Sequence, residues 1–507
     1  MSELLQEEET VILDELLTIL NSKAMRNQKR REYHDAKNRL DDLGISIPTE
    51  LKDKLSLVVG WPAKAVDDLA ACSQFEGFTG IDADSEDLEL SAILDDNNFR
   101  LMYPQLTKSE LMLSCAFVTV SEGAPGEPEV LVNFYSAEDA VAVWCPRLKR
   151  VKYGATIIER CDIGKPAQVN LYLDYQVIEL LLSDDTATVI NKHIHNLGRP
   201  PMEAFVNEPS LDRPFGRSRI SRAVMSIADS AVRQAFRSEV AAELYASPQR
   251  YASGIDAATQ EKLRGYHPIM GSILSFTPNE DGEKPEIGQF SNAGILDHIA
   301  YERTLAAKFS GETGIPVSSL GIIHDNPPSA EAINATRGDL VAKAEQLNLS
   351  NGVALRNVAL MIKALKRGVA ISSLSNEERA ITPRFRNPAR ISASSRADAI
   401  VKLVTAFPWL PDTEVALEEA GFTEDQIVRL ISDRARGAGS FELEKILART
   451  EAPAPVTGAQ ITRSVLPVLE AVSEGTIQED QAISIVALSI GVSRDEARSL
   501  VRGSNAV

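Results

Sequence analysis

Histidine and cysteine are scarce in this chain of 507 residues, which has only six of the first and four of the second. Cys72, Cys115, Cys145 and Cys161 form no CxxC pair, so neither a zinc site nor a dense disulfide framework is indicated; buried reduced thiols are expected. His193 and His195 alternate on a probable strand and could offer two ring nitrogens to a metal, but no third ligand lies near them in the sequence. There is no GxxxxGKS/T phosphate loop, no GxGxxG after a strand and no GxSxG elbow, so the commonest nucleotide and acyl-transfer signatures are missing. No apolar run approaches the ~18 residues that span a bilayer. The opening stretch to Thr10 is acidic where a signal peptide would be basic and then apolar, so a soluble protein made in a cytoplasm is expected.

Basic residues are also in deficit. There are 53 Lys and Arg against 72 Asp and Glu, for a formal charge of −19. Gripping nucleic acid requires clustered cations that release counterions from phosphate, so tight DNA binding is not expected of this chain. Letting a polyanion slide past is compatible with the balance, because a like-charged wall repels it. The stretch from Glu76 to Asp96 carries eight acids and no base and reads as a surface loop or helix start outside the core. Within it Asp82 and Asp84 could hold a divalent cation with a partner carboxylate, though a solvated surface explains them as well.

What is present suggests roughly three or four domains. Residues 1–45 read as helix, with Leu13, Leu16, Leu17 and Leu20 at helical spacing and a basic stretch from Met25 to His34. A second helix is expected from Trp61 to Leu69, with Pro62 in its first turn. From Cys115 to Ile190 the pattern turns to short β-rich runs. In one of them Val169, Leu171 and Leu173 share a face, which predicts an antiparallel β or α+β domain. A helix of about 29 residues is expected from Ser218, as N-cap, to Ser247-Pro248, with Ile220, Val224, Ile227 and Ala231 as its buried stripe. A short helix at 256–266, a turn-rich acidic segment at 267–292 and a helix at 295–309 follow. The loop 314–326 then leads to a helix extending to about Leu365, where Gly338 and Gly352 suggest a kink. Residues 396–450 and 458–507 are helical, separated by a Pro-rich linker.

The order of several local motifs is more specific than composition. They include Arg31-Glu-Tyr-His34 with Leu43-Gly-Ile45, Val59-Gly-Trp61, Phe75-Glu-Gly-Phe78, Gly198-Arg-Pro-Pro201, Phe215-Gly-Arg-Ser-Arg-Ile220 and Ser247-Pro-Gln-Arg250. Later come Gly314-Ile-Pro316, Leu320-Gly321, Asn326-Pro-Pro-Ser-Ala-Glu-Ala-Ile333 and Arg396-Ala-Asp-Ala-Ile400. In this order and spacing, from about residue 30 to 430, they resemble the portal family of long-tailed bacteriophages. The resemblance implies an α+β portal fold with wing, stem, clip and helical crown, assembled as a dodecameric ring around a DNA channel at one capsid vertex of the virion.

Carried along this chain, the resemblance makes residues 1–79 the N-terminal helical part of the wing, 80–215 its α+β body and 216–255 a long wing helix. Residues 256–266 and 294–313 become paired stem helices, with 267–293 the clip between them. Residues 314–328 become the tunnel loop, 329–395 the kinked wing helix and its return, 396–450 the crown, 451–458 a linker and 459–507 a C-terminal helical segment. His324, Asp325 and Asn326 would then face double-stranded DNA that passes without sequence preference. Asn279, Glu280, Asp281, Glu283 and Lys284 would dock the large terminase subunit and later the head-completion adaptor. Major capsid and scaffolding proteins are further implied partners; no catalysis, cofactor or membrane is implied. The rival readings are another virion structural protein, such as an adaptor or minor head protein, and a metal-dependent nuclease using Asp82 and Asp84.

Overall fold

Alternating apolar residues between Cys115 and Val206 build two antiparallel sheets that face each other in the computed structural model. The structure describes residues 3–38, 57–80, 88–162, 164–183, 186–246, 250–253, 261, 286–289, 295–322, 335–389, 393–422, 426–434, 436, 468, 472, 477–490 and 493–503. The strands in chain order are β1 (Glu3–Leu4), β2 (Phe75–Thr79), β3 (Cys115–Glu122), β4 (Val130–Ser136), β5 (Ala140–Cys145), β6 (Arg150–Arg160) and β7 (Pro166–Tyr172). They continue with β8 (Gln176–Ser183), β9 (Thr186–Ile194), β10 (Met202–Val206), β11 (Arg250–Ser253), β12 (Glu286–Gln289) and β13 (Thr382–Phe385). One sheet has six strands in the order β1-β9-β8-β7-β6-β5, and the other has three, β10-β3-β4.

Helices complete the layers: α1 (Glu7–His34), α2 (Trp61–Ala70), α3 (Leu88–Asp96), α4 (Phe99–Leu113), α5 (Arg222–Ala246), α6 (Ile295–Thr313) and α7 (Gly338–Lys366). On one face of the larger sheet, Val169, Leu171, Ile178 and Leu180 bury against Leu13, Leu16 and Leu20 of α1. Its other face, through Ala142, Val151 and Tyr172, meets Phe117, Met202 and Ala204 of the smaller sheet. The period of two then turns Ala116, Val118 and Phe205 the opposite way, onto Phe99 and Tyr103 of α4 and Leu355, Val358 and Ile362 of α7. The result is a helix, sheet, sheet, helix stack. Each fully buried aliphatic or aromatic side chain in it contributes about 1.5–3 kcal/mol by leaving water.

The expected α+β class and antiparallel strands are therefore present, while several local expectations need correction. The first helix ends at His34, well before residue 45, because Ala36 adopts a left-handed conformation (φ 53°). There the Lys37 amide bonds Glu32 O at 2.8 Å and the Ala36 amide bonds Tyr33 O at 3.4 Å, the paired closing bonds of a Schellman turn. The acidic stretch expected to lie outside the core supplies Phe78, Leu90, Ile93 and Leu94 to it; its described acids Glu76, Glu89, Asp95 and Asp96 occupy the solvent side. Of the cysteines, all free, Cys72 and Cys115 are buried, but Cys145 is half-buried and Cys161 exposed, since Cys161 sits in the turn joining β6 to β7.

The long helix α5 begins three residues later than expected. Ser221 rather than Ser218 caps it, its Oγ accepting from the Val224 amide at 3.2 Å. The Ser218 hydroxyl is engaged instead by the Met112 carbonyl and the Ile220 amide, which hold the extended lead-in against α4. In α7 the chain breaks helical form at Arg337, next to Gly338, but runs unbroken through Gly352. Gly352 faces β13 with room for a methyl: a Cβ there would lie 3.5 Å from Pro383 and 3.6 Å from Phe385, ordinary contact distances.

The chain divides into two compact units, Met1–Ser392 and Ala393–Val507. The second contains helices α8 (Ala393–Ala406) and α9 (Glu414–Ala420), then α10 (Glu479–Ile490) and α11 (Arg494–Gly503). The last two helices pack through Ala482, Ile483, Val486, Ala497 and Val501. The linker 451–458 and the body of 437–467 lie outside the described residues.

Candidate functional site

Two long excursions of the chain leave one scaffold, the helix pair α5 and α6. The pair is antiparallel. Near one end Ser221 Oγ donates to Glu312 Oε1 at 3.1 Å, and further along Gln234 Nε2 lies 2.9 Å from His298 Nδ1 and donates to the His298 carbonyl at 3.1 Å. Val224, Ala228 and Ala231 form the buried stripe of α5, with Ile220 buried just ahead of the helix and Ile227 only partly covered. Against them lie Leu305, Ala306 and Phe309 of α6, and the Phe309 ring meets Trp61 of α2 at 5.5 Å. This makes the expected Trp-containing helix a wedge behind the pair.

The first excursion lies beyond α5. Strands β11 and β12 pair antiparallel, Arg250 opposite Gln289 and Ser253 opposite Glu286, and so close its neck. Asn279, Glu280, Asp281, Glu283 and Lys284 belong to it and lie outside the described residues, as does 256–266 apart from Glu261. Among the described residues Ile295–Thr313 packs on Arg222–Ala246; the expected partner helix 256–266 lies outside them apart from Glu261.

The second excursion begins at the other end of α6. Gly314 has φ 75° and sits so close to the start of α7 that a Cβ would be 3.3 Å from Asp339 Cβ; Lys343 Nζ reaches the Glu312 carbonyl at 3.3 Å. Ile315 and Leu320 are buried in the same core as α5 and α6, anchoring a short 3-10 turn, Val317–Leu320, that ends at Gly321 with φ 87°. His324, Asp325 and Asn326 follow, outside the described residues. The described start of this loop is therefore pinned to the scaffold. Helix α6 is 19 residues long, or about 28 Å at 1.5 Å per residue, and this length separates the two excursions.

Arg219 locks the scaffold from behind. Its buried guanidinium donates from Nε to the Ala65 carbonyl at 2.9 Å and from Nη2 to the Thr313 carbonyl, joining α2 to the end of α6. Burial pushes its pKa down to about 10, with Glu208 and Asp68 opposing the shift. The neighbouring Gly216 explains its motif: at φ 62°, a Cβ would lie 2.0 Å from the Asn207 carbonyl oxygen. The Gly198-Arg-Pro-Pro201 motif is also structural. Gly198 has φ 72°, and Arg199 makes a buried ion pair with Glu203, whose other oxygen accepts from Asn357 at 3.2 Å. Arg219 and Gly216 belong to the Phe215–Ile220 motif, but their partners are 94 or more residues away or across a turn, which composition does not encode.

In the basic stretch of α1, Arg26, Lys29 and Arg31 are exposed, while some members reach across the fold. Arg30 donates to the Leu113 carbonyl, Arg31 pairs with Glu138, and Tyr33 donates to Asp229 on α5 at 2.9 Å. His193 bonds Glu179 and Asn191 at 3.0 Å each; His195 lies just beyond β9, half-buried, its pKa lowered by burial. Among the described residues no group of three His, Cys, Asp or Glu side chains is placed to hold a metal, and Asp82 and Asp84 lie outside them. Among the same residues no helix is long and apolar enough to cross a membrane.

No protein-family model matches the chain. Two curated relatives do. The portal protein of Mycobacterium phage L5 is 26% identical over 411 residues, covering 78% of this chain and 82% of that protein. The portal protein of Mycobacterium phage D29 is 25% identical over 423 residues, covering 81% and 85%. The family suggested by the ordered motifs is the one both relatives are named for. Among solved structures, a chain from the neck of an empty gene transfer agent particle, computed with C6 symmetry, aligns with a TM-score of 0.44 at 14% identity, over 71% of this chain and 89% of that one. A chain from the neck of a native gene transfer agent particle, computed with C12 symmetry, aligns with a TM-score of 0.38 at 13% identity, over 68% and 84%.

Proposed function

We propose that this chain is the portal protein of a tailed bacteriophage, a subunit of the ring through which DNA enters and leaves the capsid at one vertex. The observation that carries the reading is collinear similarity to two curated portal proteins over about four-fifths of both chains. In this reading the protein is a structural component of the virion and not an enzyme.

The scaffold suits the task. A conduit must present one surface to the machinery outside the capsid and another to the DNA within the channel, and the two excursions leave α6 from opposite ends. The antiparallel α5–α6 pair supports reading Arg222–Ala246 as the first stem helix in place of 256–266, and Ile295–Thr313 as the second. The β11–β12 neck supports a clip between them. Its residues Glu280, Asp281 and Glu283, with only Lys284 beside them, suit docking to the large terminase subunit and the head-completion adaptor, and would repel passing phosphate. Residues His324, Asp325 and Asn326, on a loop whose start is pinned to the scaffold, are proposed to face the DNA.

The test is to purify the protein and measure its mass by mass photometry, with negative-stain microscopy of the same sample. Closed rings with a central hole support the reading. A species that stays monomeric across micromolar concentrations overturns it.

A further inference from the structure

Helix α1 is electrically lopsided. Its first turn holds Glu7, Glu8 and Glu9, and no base precedes Lys23; its last third holds Arg26, Lys29, Arg30 and Arg31, with Glu32 the one acid there. Over 28 residues, about 42 Å, the helix runs from an acidic end to a basic one.

At the basic end a cleft of about 430 Å³ opens between α1 and the start of α5, lined by Arg26, Lys29, Arg30, Tyr33, Arg222 and Asp229, among others. Asp229, the one carboxylate lining it, already accepts from Tyr33 and from Asn38. Among the described residues Arg26, Lys29, Arg30 and Arg222 make no ion pair. Burial, then the nearby Arg26, push Arg30 down to about 10, and the four cations of the cleft outnumber its one carboxylate, Asp229. Such a cleft in a chain of net charge −19 is matched to a carboxylate-bearing partner.

The chain itself carries the complement. Some acids elsewhere on the described surface have bases: Asp139 has Arg160, Asp67 has Lys108, Glu89 and Glu129 share Lys366, and Glu378 has Arg367. Glu7 and Glu8 are exposed and make no ion pair among the described residues; Lys152, which lines the same surface depression, instead sits over the Tyr153 ring at 4.8 Å. One turn on, Val11 is 64% exposed, and at the far end Met25 is 78% exposed, giving each end an uncovered apolar residue as well. A head-to-tail ring requires two different surfaces on each copy that fit one another.

We propose that the acidic first turn of α1, through Glu7 and Glu8, docks in the Arg26, Lys29, Arg30 and Arg222 cleft of an adjacent copy of this chain. The inference rests on the ring reading and adds the contact that orients neighbouring copies. Because these charges are mostly exposed, salt weakens the contact: the screening length is about 8 Å at physiological ionic strength.

The experiment compares E7K/E8K, R26E/K29E and an equimolar mixture of the two variants with wild type, by mass photometry at 50 and 500 mM NaCl (roughly 14 and 4 Å screening lengths). Melting curves confirm that each variant folds. Wild type is expected to form rings that need higher protein concentration at high salt. Each double variant alone should need at least tenfold more protein for half-assembly. The mixture should recover rings, because alternating copies seat the basic first turn of one variant in the acidic cleft of the other, and an unchanged first turn in an unchanged cleft. Variants that assemble like wild type overturn the docking and leave the portal reading standing, as does a mixture that fails to recover. A wild type that never forms rings overturns both.

Discussion

Glu110 is fully buried on α4 with no cation beside it, and its ionisation is coupled to folding. Its Oε2 accepts from Asn351 Nδ2 of α7 at 2.9 Å, while Oε1 has no partner. Asn351 also reaches the Tyr103 hydroxyl at 3.4 Å, which meets Ser73 at 3.1 Å, so the carboxyl ends a polar chain crossing the core. Burial pushes its pKa from 4.5 up to about 8, with the Asn351 bond only partly opposing. The folded state therefore holds the proton at neutral pH, whereas the unfolded chain has released it above 4.5. With the folded value raised, this group's favourable contribution is fully present below pH 4.5 and is lost as pH rises toward 8. The slope is up to 1.4 kcal/mol per pH unit, so the loss over the window is roughly 5 kcal/mol.

Glu110→Gln keeps the shape and removes the titration. Urea denaturation of wild type and variant, at fixed protein concentration from pH 4.5 to 9, should give stabilities that converge or favour wild type at the acid end. They should separate in favour of the variant by several kcal/mol at the alkaline end. A difference that does not change with pH would refute the argument that a desolvated carboxyl sits in this core.

Arg219→Ala removes the charged donor that joins the Ala65 and Thr313 carbonyls and should cost about 2–4 kcal/mol by chemical denaturation; Arg219→Lys should recover only part, since one ammonium replaces a fork. Gly352→Leu forces β13 away from α7 and should cost about 1–3 kcal/mol, whereas Gly352→Ala, at 3.5 Å from its nearest neighbour, should be close to neutral, as paired melting curves would report. Changing His324 and Asp325 together to Ala should reduce DNA packaged per head in a packaging assay while ring mass stays that of wild type; normal packaging would remove the loop from the DNA path.

Local patterns in the sequence carry the layers of the fold well. Val169 and Leu171 alternate onto α1 as their spacing predicts, and Leu13, Leu16 and Leu20 meet them. What escapes is what local patterns do not encode. Ala36 ends a helix in a conformation usually signalled by Gly. Ser221 caps α5 because Ser218 is already bound to a carbonyl 106 residues earlier. Leu90, Ile93 and Leu94 bury although acids surround them, because a helix can hide one face and wet the other. The candidate site is legible as two segments and their order. Their common scaffold, α5 packed on α6 across some 70 residues of chain, and the Arg219 lock behind it, depend on long-range contacts that only folding brings together.

The central claim is that copies of this chain close into a ring around a DNA path. Its most direct test is single-particle electron microscopy of the purified, full-length protein. The expected result is dodecameric rings with an open axial channel, one excursion of the α5–α6 scaffold at the outer rim and the other facing the channel. Monomers, or open filaments without a channel, would contradict it.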